Sequence, residues 1–274
     1  MLKNIKNFFI FQPTKIKENQ NNKYHVIQLL RHSICRSFTE FRDPKSINLN
    51  FIDIYIEVNN DILHGWFINN SNSLEKLILF LHGNAGNIST RLDHIKMLYD
   101  IGFSVLIFDY PGYGKSQGNP NEKKCFDSAV KFTEYAINEL KFNVYNITIY
   151  GESLGCTISS YLSSKYKFRY VILQSGFYNL SELTKDLIVK QNNILRPIFN
   201  YCIPKIVKDF STIKYMSNKE TSYIIIHSID DELIPFRHAQ NLSVNNKLIS
   251  IKGTHNKPIF NSLYFNELEK ILNY

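Results

Sequence analysis

The chain has 274 residues, of which 44% are hydrophobic, 14% aromatic and 20% charged, enough apolar content for a sizeable core and too much for a disordered chain. Its four cysteines lie far apart, with no C-x-x-C pair and no His/Cys cluster. The sequence therefore predicts neither a zinc site nor a disulfide framework, and it favours a reducing compartment. No apolar run approaches the roughly 20 residues that a membrane-spanning helix needs.

The formal net charge of +8 is concentrated at the front of the chain. Residues 1–45 hold nine Lys or Arg and three acids, whereas the rest of the chain holds 23 bases and 21 acids. Because a nucleic-acid-binding protein more often carries its basic surface within the folded domain, we expect no nucleic-acid partner. The sequence predicts a basic N-terminal segment, residues 1–45, followed by one domain, residues 46–274.

The N-terminal segment opens with apolar residues at helical spacing, separated by Lys and Asn: Leu2, Ile5, Phe8 and Phe9. This pattern predicts a short basic amphipathic segment that lies in a membrane interface, where its binding would be weak without further help. The apolar run is too short for a cleavable secretory signal. Two alternatives stay open: a mitochondrial-type transit sequence, since no acid precedes Glu18, and a tail that packs on the domain. We expect a cytoplasmic protein, which is peripheral at a membrane if the N-terminal segment lies in the interface.

Strands alternate with helical stretches along the domain. Residues 48–57 and 62–68 flank Asn59-Asn60-Asp61, which predicts an antiparallel hairpin. Central parallel strands, covered by helices on both sides, are predicted by six continuously apolar runs: 77–81, 105–108, 147–150, 170–173, 223–226 and 247–251. Helical spacing occurs between them, at 88–99, 126–140, 153–163, 236–242 and 259–272. The alternation predicts a doubly wound α/β fold with a mostly parallel central sheet and helices on both faces.

Residues 177–220 separate two strands by far more than a simple crossover requires. Helical patterns there are broken by Pro197 and Pro204, which predicts a small helical lid insertion. Candidate residues for lining an acyl pocket are Leu195, Ile198 and Phe199. The alternative is one irregular crossover helix followed by a long loop.

The strongest local motif is Gly151-Glu152-Ser153-Leu154-Gly155, which joins an apolar strand to a helical pattern. A turn this sharp lifts the serine hydroxyl above the sheet, and glycine on both sides removes the steric clash. The helix that follows points its positive dipole end at the reaction centre. We therefore predict Ser153 as a nucleophile; the alternative is a Gly-rich turn with a capping serine.

A serine hydroxyl needs a base, and that base needs an orienting carboxylate. His255 follows the last apolar run at the carboxyl edge of the sheet, where open α/β folds place their sites, and His227 at a strand tip is the main rival. Three adjacent acids follow the preceding strand, and spacing alone does not choose between Asp230 and Asp231. The order Ser, Asp, His along the chain is that of α/β-hydrolases.

Transition-state stabilisation requires an oxyanion hole. The loop Leu81-His82-Gly83-Asn84-Ala85-Gly86-Asn87 follows a strand and opens a helix, so its backbone can approach a developing oxyanion closely. The N–H of Leu154, next to the nucleophile, is one predicted donor and that of Asn84 is the second. No G-x-x-x-x-G-K-[ST] motif marks a nucleotide site, and we expect Asp109, in a second Gly-rich loop, to be structural.

The motifs HGNAGN, FDYPGYGKS, GESLG, DELIP and GTHN, in this order over roughly residues 50–273, resemble the BEM46-like branch of the α/β-hydrolase superfamily, which is related to the ABHD groups of serine hydrolases. The resemblance implies Ser153 as nucleophile, His255 as base, and Asp231 rather than Asp230 as the acid. It also implies that the N–H groups of Asn84 and Leu154 form the oxyanion hole. Two departures are Ser228, where relatives commonly have Gly, and Lys257, where Asp often follows the histidine motif.

Members of this branch act on ester or thioester bonds, including those of lipids and acylated proteins, and several are peripheral or anchored at membranes. The sequence thus predicts a serine hydrolase of the carboxylesterase, thioesterase or lipase type, with no metal and no organic cofactor. Two alternatives from other classes stay open. One is a non-catalytic α/β-hydrolase-fold scaffold that binds lipid or protein, and the other is a serine peptidase.

Overall fold

The structure is a computed structural model that describes residues 11–18, 24–28, 42–72, 75–190 and 210–274. The amphipathic pattern of residues 2–9 and the candidate pocket residues Leu195, Ile198 and Phe199 lie outside these ranges. The described chain divides into two compact units, one ending at Thr148 and the other beginning at Ile149.

The first unit is built on the predicted hairpin and two buried strands. Its strands are β1 (Gln12–Glu18), β2 (Tyr24–Gln28), β3 (Ile52–Val58), β4 (Asp61–Ile68), β5 (Leu77–Leu81), β6 (Ala85–Gly86) and β7 (Ser104–Phe108). β3 and β4 pair antiparallel, β4 pairs antiparallel with β7, and β7 pairs parallel with β5. The turn between β3 and β4 has positive φ at Asn59 and Asn60, which asparagine tolerates. β5 and β7 are buried along their whole length, as their apolar runs predicted.

Two helices complete this unit: α1 (Leu92–Ile101) and α2 (Glu122–Asn138). Three short 3₁₀ turns accompany them, at Pro44–Ile47, Ile88–Arg91 and Val144–Asn146. Asparagine side chains begin three of these elements, since Asn87 accepts the N–H of Ser89, Asn121 that of Lys124 and Asn143 that of Tyr145. α1 packs on β7 and α2 packs on β3, so both helices cover strands of their own unit.

Part of the N-terminal segment is a β-hairpin. β1 pairs antiparallel with β2, and its first residues, Gln12 and Pro13, pair in parallel with Ala85 and Gly86 of β6. Phe11, just before β1, is buried. The sequence analysis did not predict this hairpin, because the pairing of β1 with β6 joins residues that are far apart along the chain.

The second unit holds the remaining strands, four of them parallel. They are β8 (Ile147–Glu152), which begins two residues before the unit does, β9 (Tyr170–Gln174), β10 (Ser222–Ser228), β11 (Lys247–Thr254) and β12 (Lys257–Ile259). β8, β9, β10 and β11 pair in parallel in this order, and β12 is antiparallel to β11. Its helices are α3 (Leu154–Ser163), α4 (Leu180–Lys190), α5 (Thr212–Tyr215), α6 (Arg237–Leu242) and α7 (Ser262–Leu272). α3 packs on β9 and α6 on β10.

The last helix begins later than its apolar spacing predicted. Residues 257–259 form β12, and α7 starts at Ser262 behind an Asn261 side chain that accepts the N–H of Tyr264 at 3.1 Å. The reason is strand pairing, because Ile259, the first residue of the predicted helix, pairs with Lys252 of β11. β11 accordingly continues into a hairpin with β12, whose turn consists of His255 and Asn256.

The two described ends of the 177–220 insertion lie together. The N–H of Leu180 donates to the Phe210 carbonyl at 3.0 Å, and Asn179 and Ser211 form an isolated antiparallel bridge. The insertion therefore leaves and rejoins the unit at one place, with α4 on one side of the gap and α5 on the other. Its role as a lid stays a prediction.

Candidate active site

Ser153 lies in the sharp turn between β8 and α3, with φ 53° and ψ −111°. A non-glycine residue with positive φ is strained, and such strain persists only where the surroundings hold it in place. The turn is held by the N–H of Ser153, which donates to the Gln174 carbonyl at 2.8 Å. A Cβ atom at Gly151 would lie 2.7 Å from the Gly155 carbonyl oxygen, so the first glycine of the motif is sterically required.

His255 joins this serine to an acid. Its Nε2 lies 3.1 Å from Ser153 Oγ, and its Nδ1 lies 2.8 Å from Asp231 Oδ2. With the proton on Nδ1, the imidazole donates to the carboxylate and its Nε2 accepts from the serine hydroxyl. The histidine side chain is only 7% exposed, so the three groups form one hydrogen-bonded chain that is largely shielded from water.

The Asp231 carboxylate is fully buried, with its second oxygen, Oδ1, held by the backbone. Oδ1 accepts the N–H groups of Leu233 at 2.9 Å and Ile234 at 2.7 Å. Burial acts to raise the pKa of this carboxyl, but the hydrogen bond and charge of His255 and the N–H of Ile234 outweigh burial and lower the pKa. The group therefore stays ionised and can hold an imidazole. Asp230, by contrast, is exposed.

His227, the rival base, packs behind the acid. It is completely buried, its Nε2 lies 2.9 Å from the Ile234 carbonyl oxygen, and the same nitrogen is 3.4 Å from Asp231 Oδ2. Burial lowers the pKa of His227, which keeps the ring neutral, and Nε2 must carry the proton to donate to the carbonyl. In this position His227 braces the loop that carries the acid.

Two further residues, Ser228 at the end of β10 and Glu232 in the loop that follows it (residues 229–235, the acid loop), reach the β11–β12 hairpin of His255, and the sequence analysis assigned neither of them a role. Glu232 Oε2 accepts the backbone N–H of His255 at 3.0 Å, and Ser228 Oγ donates to the Gly253 carbonyl. In the sequence Glu232 stands out only as one of three adjacent acids, and Ser228 only as a departure from a family pattern. The contact partners lie more than 20 residues away along the chain.

Leu154 and Asn84, the two predicted oxyanion donors, follow β8 and β5. Leu154 is the first residue of α3, where a backbone N–H has no carbonyl partner within its own helix. Asn84 lies in the loop after β5, where the Tyr113 hydroxyl donates to its side-chain oxygen at 3.0 Å. The Tyr110 hydroxyl braces the same loop by donating to the His82 carbonyl at 2.9 Å. That the two N–H groups act as a pair stays a prediction.

Asp109, expected to be structural, is completely buried. Its Oδ1 accepts the N–H of Ile88 at 3.0 Å, which ties β7 to the turn before α1. A Cβ at Gly114 would collide with the same carboxylate, at 1.8 Å from Oδ2, so the Gly-rich loop is built around this side chain.

A further buried histidine lies outside the chain of hydrogen bonds at Ser153. The side chain of His238, on α6, is fully buried. Its Nδ1 accepts the N–H of Tyr178 at 3.1 Å and its Nε2 lies 2.8 Å from Asp186 Oδ2, because α4 folds over α6 at this point. Within the residues that the structure describes, no group of three or more His, Cys, Asp or Glu side chains is placed to hold a metal ion. Over the same residues, no helix is long and apolar enough to cross a membrane.

Comparisons with known proteins agree with this architecture. Residues 76–175 match the model of the alpha/beta hydrolase fold family. The uncharacterized protein R595 of Acanthamoeba polyphaga mimivirus is 30% identical over 98% of this chain and 92% of its own length. The fold and the site define a protein of the hydrolase class, and this chain belongs to the α/β-hydrolase family.

Two further likenesses come from named enzymes. Lysophosphatidylserine lipase ABHD12 of Danio rerio is 27% identical over 65% of this chain and 49% of its own length. In fold, the chain is similar to the Pyrococcus furiosus esterase Pf2001, with a TM-score of 0.66 and 20% identity over 85% of this chain and 93% of that one. The second likeness concerns the α/β-hydrolase fold alone.

Proposed function

We propose that this protein is a serine hydrolase that cleaves carboxylic ester or thioester bonds through an acyl-enzyme. The observation that carries the proposal is the continuous hydrogen-bonded chain from Ser153 through His255 to a buried, ionised Asp231. The named lipase among the similar proteins supports hydrolysis of esters. Membership of the BEM46-like branch stays a prediction from the sequence motifs.

The proposed reaction has two halves. Ser153 Oγ attacks the carbonyl carbon while His255 Nε2 takes the hydroxyl proton, and Asp231 stabilises the imidazolium that forms. The N–H groups of Leu154 and Asn84 are the proposed donors to the oxyanion, and removal of one such donor typically costs about 2.7–4 kcal/mol. His255 then gives its proton to the leaving alcohol or thiol. Water repeats the sequence on the acyl-enzyme and releases the carboxylic acid.

Substrates with an acyl chain, such as lipids and acylated proteins, are the proposed class. Two large apolar side chains of the acid loop, Ile229 and Leu233, are 51% and 42% exposed on either side of Asp231. Exposed apolar groups beside a candidate site favour an apolar ligand over a charged one. The 177–220 insertion is the proposed boundary of the acyl pocket.

The alternatives are weaker on physical grounds. A non-catalytic scaffold has no need for a strained serine, and left-handed backbone at a non-glycine residue of this kind costs on the order of 1–3 kcal/mol. A serine peptidase would use the same three residues, but no described residue marks a pocket for a peptide amine. We therefore propose an esterase or thioesterase over both.

The test is turnover of a short p-nitrophenyl ester by the wild type, Ser153→Ala and His255→Ala. We expect both variants to lose about six orders of magnitude in kcat, the effect of removing the nucleophile or the base of a comparable triad. Ser164→Ala, an exposed serine at the other end of α3, is the matched control and should match the wild type. Turnover near the wild-type rate in either triad variant would overturn the proposal.

We also infer peripheral membrane contact through the N-terminal segment, on the basis of its basic charge and the helical spacing of its apolar residues. The full chain should sediment with vesicles that contain phosphatidylserine more than with phosphatidylcholine vesicles. Replacement of Leu2, Ile5 and Phe8 by Ser should abolish the difference. Equal sedimentation of the two proteins would contradict the inference.

A further inference from the structure

We propose that Glu232 and Ser228 are positioning residues that hold the hairpin of His255 in register with Asp231. The role rests on the proposed function, since it concerns the same site. In this proposal the segment from Ser228 to Glu232 supplies the carboxylate of Asp231 and also fixes the backbone of the base, His255. Both residues act through His255 and neither is proposed to touch the substrate.

The hairpin that carries His255 has little support of its own. β12 contains three residues, and its central residue, Pro258, has no N–H to donate to β11. Opposite Pro258, Gly253 adopts φ 97°, a conformation outside the regular strand range. A short two-stranded ribbon of this kind is marginally stable by itself. The position of the imidazole therefore depends on contacts from elsewhere.

Ser228 and the acid loop provide those contacts at two points of the hairpin. The Glu232 carboxylate accepts the N–H of His255 itself at 3.0 Å. The Ser228 hydroxyl donates to the carbonyl of Gly253, two residues before the base. The same hydroxyl accepts the N–H of Asp230 at 3.1 Å, so Ser228 links the acid loop directly to the hairpin of His255.

The geometry explains why these contacts matter for proton transfer. His255 must keep both nitrogens in hydrogen-bond range at once, 3.1 Å from Ser153 and 2.8 Å from Asp231. A displacement of about 1 Å in such an arrangement can cost two orders of magnitude in rate. Because Glu232 and Ser228 extend from the segment that holds Asp231, acid and base move together as one body.

Asp230 provides a matched control for Glu232. Asp230 and Glu232 are both exposed acids of the same loop, but the side chain of Glu232 is the one bonded to the hairpin. Removal of either carboxylate changes the loop charge equally. A difference between the two variants therefore reports the hydrogen bond to His255 and not the charge.

The experiment compares Glu232→Ala, Glu232→Gln and Asp230→Ala in ester turnover, with kcat and KM determined separately. We expect Glu232→Ala to lower kcat about 10-fold with KM little changed, a part of what a full 1 Å displacement would cost. Glu232→Gln should retain near wild-type kcat, because its amide oxygen accepts the same N–H. Asp230→Ala should match the wild type. Ser228→Ala should lower kcat similarly, with thermal melting used to verify that this buried variant is folded.

Amide hydrogen exchange at His255 gives a second measure that does not depend on turnover. Its N–H should exchange faster in Glu232→Ala than in the wild type, Glu232→Gln or Asp230→Ala. Wild-type kcat in Glu232→Ala, or equal damage in the Gln and Ala variants, would overturn the positioning role alone. If the wild type itself neither turns over esters nor reacts at Ser153, the proposed function fails and this role fails with it.

Discussion

Gly151 lies against Ser159 so closely that a Cβ on the glycine would be 2.4 Å from the serine Oγ. The same Cβ would meet backbone on its other side, at 2.7 Å from the Gly155 carbonyl oxygen and 2.8 Å from Cys156 Cα. Side chains can move, but backbone atoms at the start of α3 cannot move without shifting Ser153. The contact therefore connects the first glycine of the motif to the position of the nucleophile.

Gly151→Ala should destabilise the protein by about 1–3 kcal/mol, the usual cost of overpacking a closed site, and should lower esterase activity at the same time. Calorimetric melting and ester turnover measure the two effects. Ser159→Ala is the control and should be close to neutral in both. In Gly151→Ala/Ser159→Ala the backbone clash remains, so full rescue by the second substitution would contradict this account.

Asp231→Asn and Asp230→Asn should differ sharply in kcat. Asp231 is the acid bonded to His255, and its amide would favour the wrong imidazole tautomer, which in a comparable triad costs about 10⁴-fold. Asp230 is exposed, so Asp230→Asn should stay near the wild-type rate. Steady-state kinetics on one ester decide the matter, and a severe loss in Asp230→Asn with a mild one in Asp231→Asn would reverse the assignment.

Stability should fall as the pH decreases below about 6.5, the ordinary histidine value, because buried histidines resist protonation. Burial lowers the pKa of both His227 and His238 in the folded protein, so the unfolded chain binds protons that the folded chain does not. The stability from their neutral forms is complete above the unfolded pKa and is lost as the pH falls through the folded one.

His227→Gln should reduce this pH dependence, because its amide can donate to the Ile234 carbonyl but does not titrate. Urea unfolding at pH 7.5 and pH 5.5 measures the free energy of unfolding in each protein. We expect the difference between the two pH values to be smaller in His227→Gln than in the wild type. An unchanged difference would mean that His227 does not contribute.

Much of the fold could be predicted from periodicity, because its central strands are apolar on both faces. The runs 77–81, 147–150 and 170–173 correspond to β5, β8 and β9 with ends displaced by at most two residues. The departures occur where distant pairing or a single residue decides the structure. β1 finds a partner in β6, far along the chain, and Ile259 pairs with Lys252 in the β11–β12 hairpin instead of beginning the last helix.

The site shows the same division between local and distant information. The glycine-flanked turn at Ser153 and the chain order of the three residues are local signals, and the structure brings these residues within hydrogen-bond distance. Spacing alone did not choose between Asp230 and Asp231, because the choice depends on which carboxylate is buried. The contacts of Ser228 and Glu232 with the β11–β12 hairpin have no local signal and required the folded arrangement.

The most direct test of the central claim is covalent labelling of the wild-type protein with a fluorophosphonate, followed by peptide mass spectrometry. This reagent reacts with a serine whose hydroxyl is activated by a neighbouring base. The account predicts stoichiometric modification of Ser153, with labelling abolished in Ser153→Ala and strongly slowed in His255→Ala. An unmodified wild type, or a label on another residue, would contradict it.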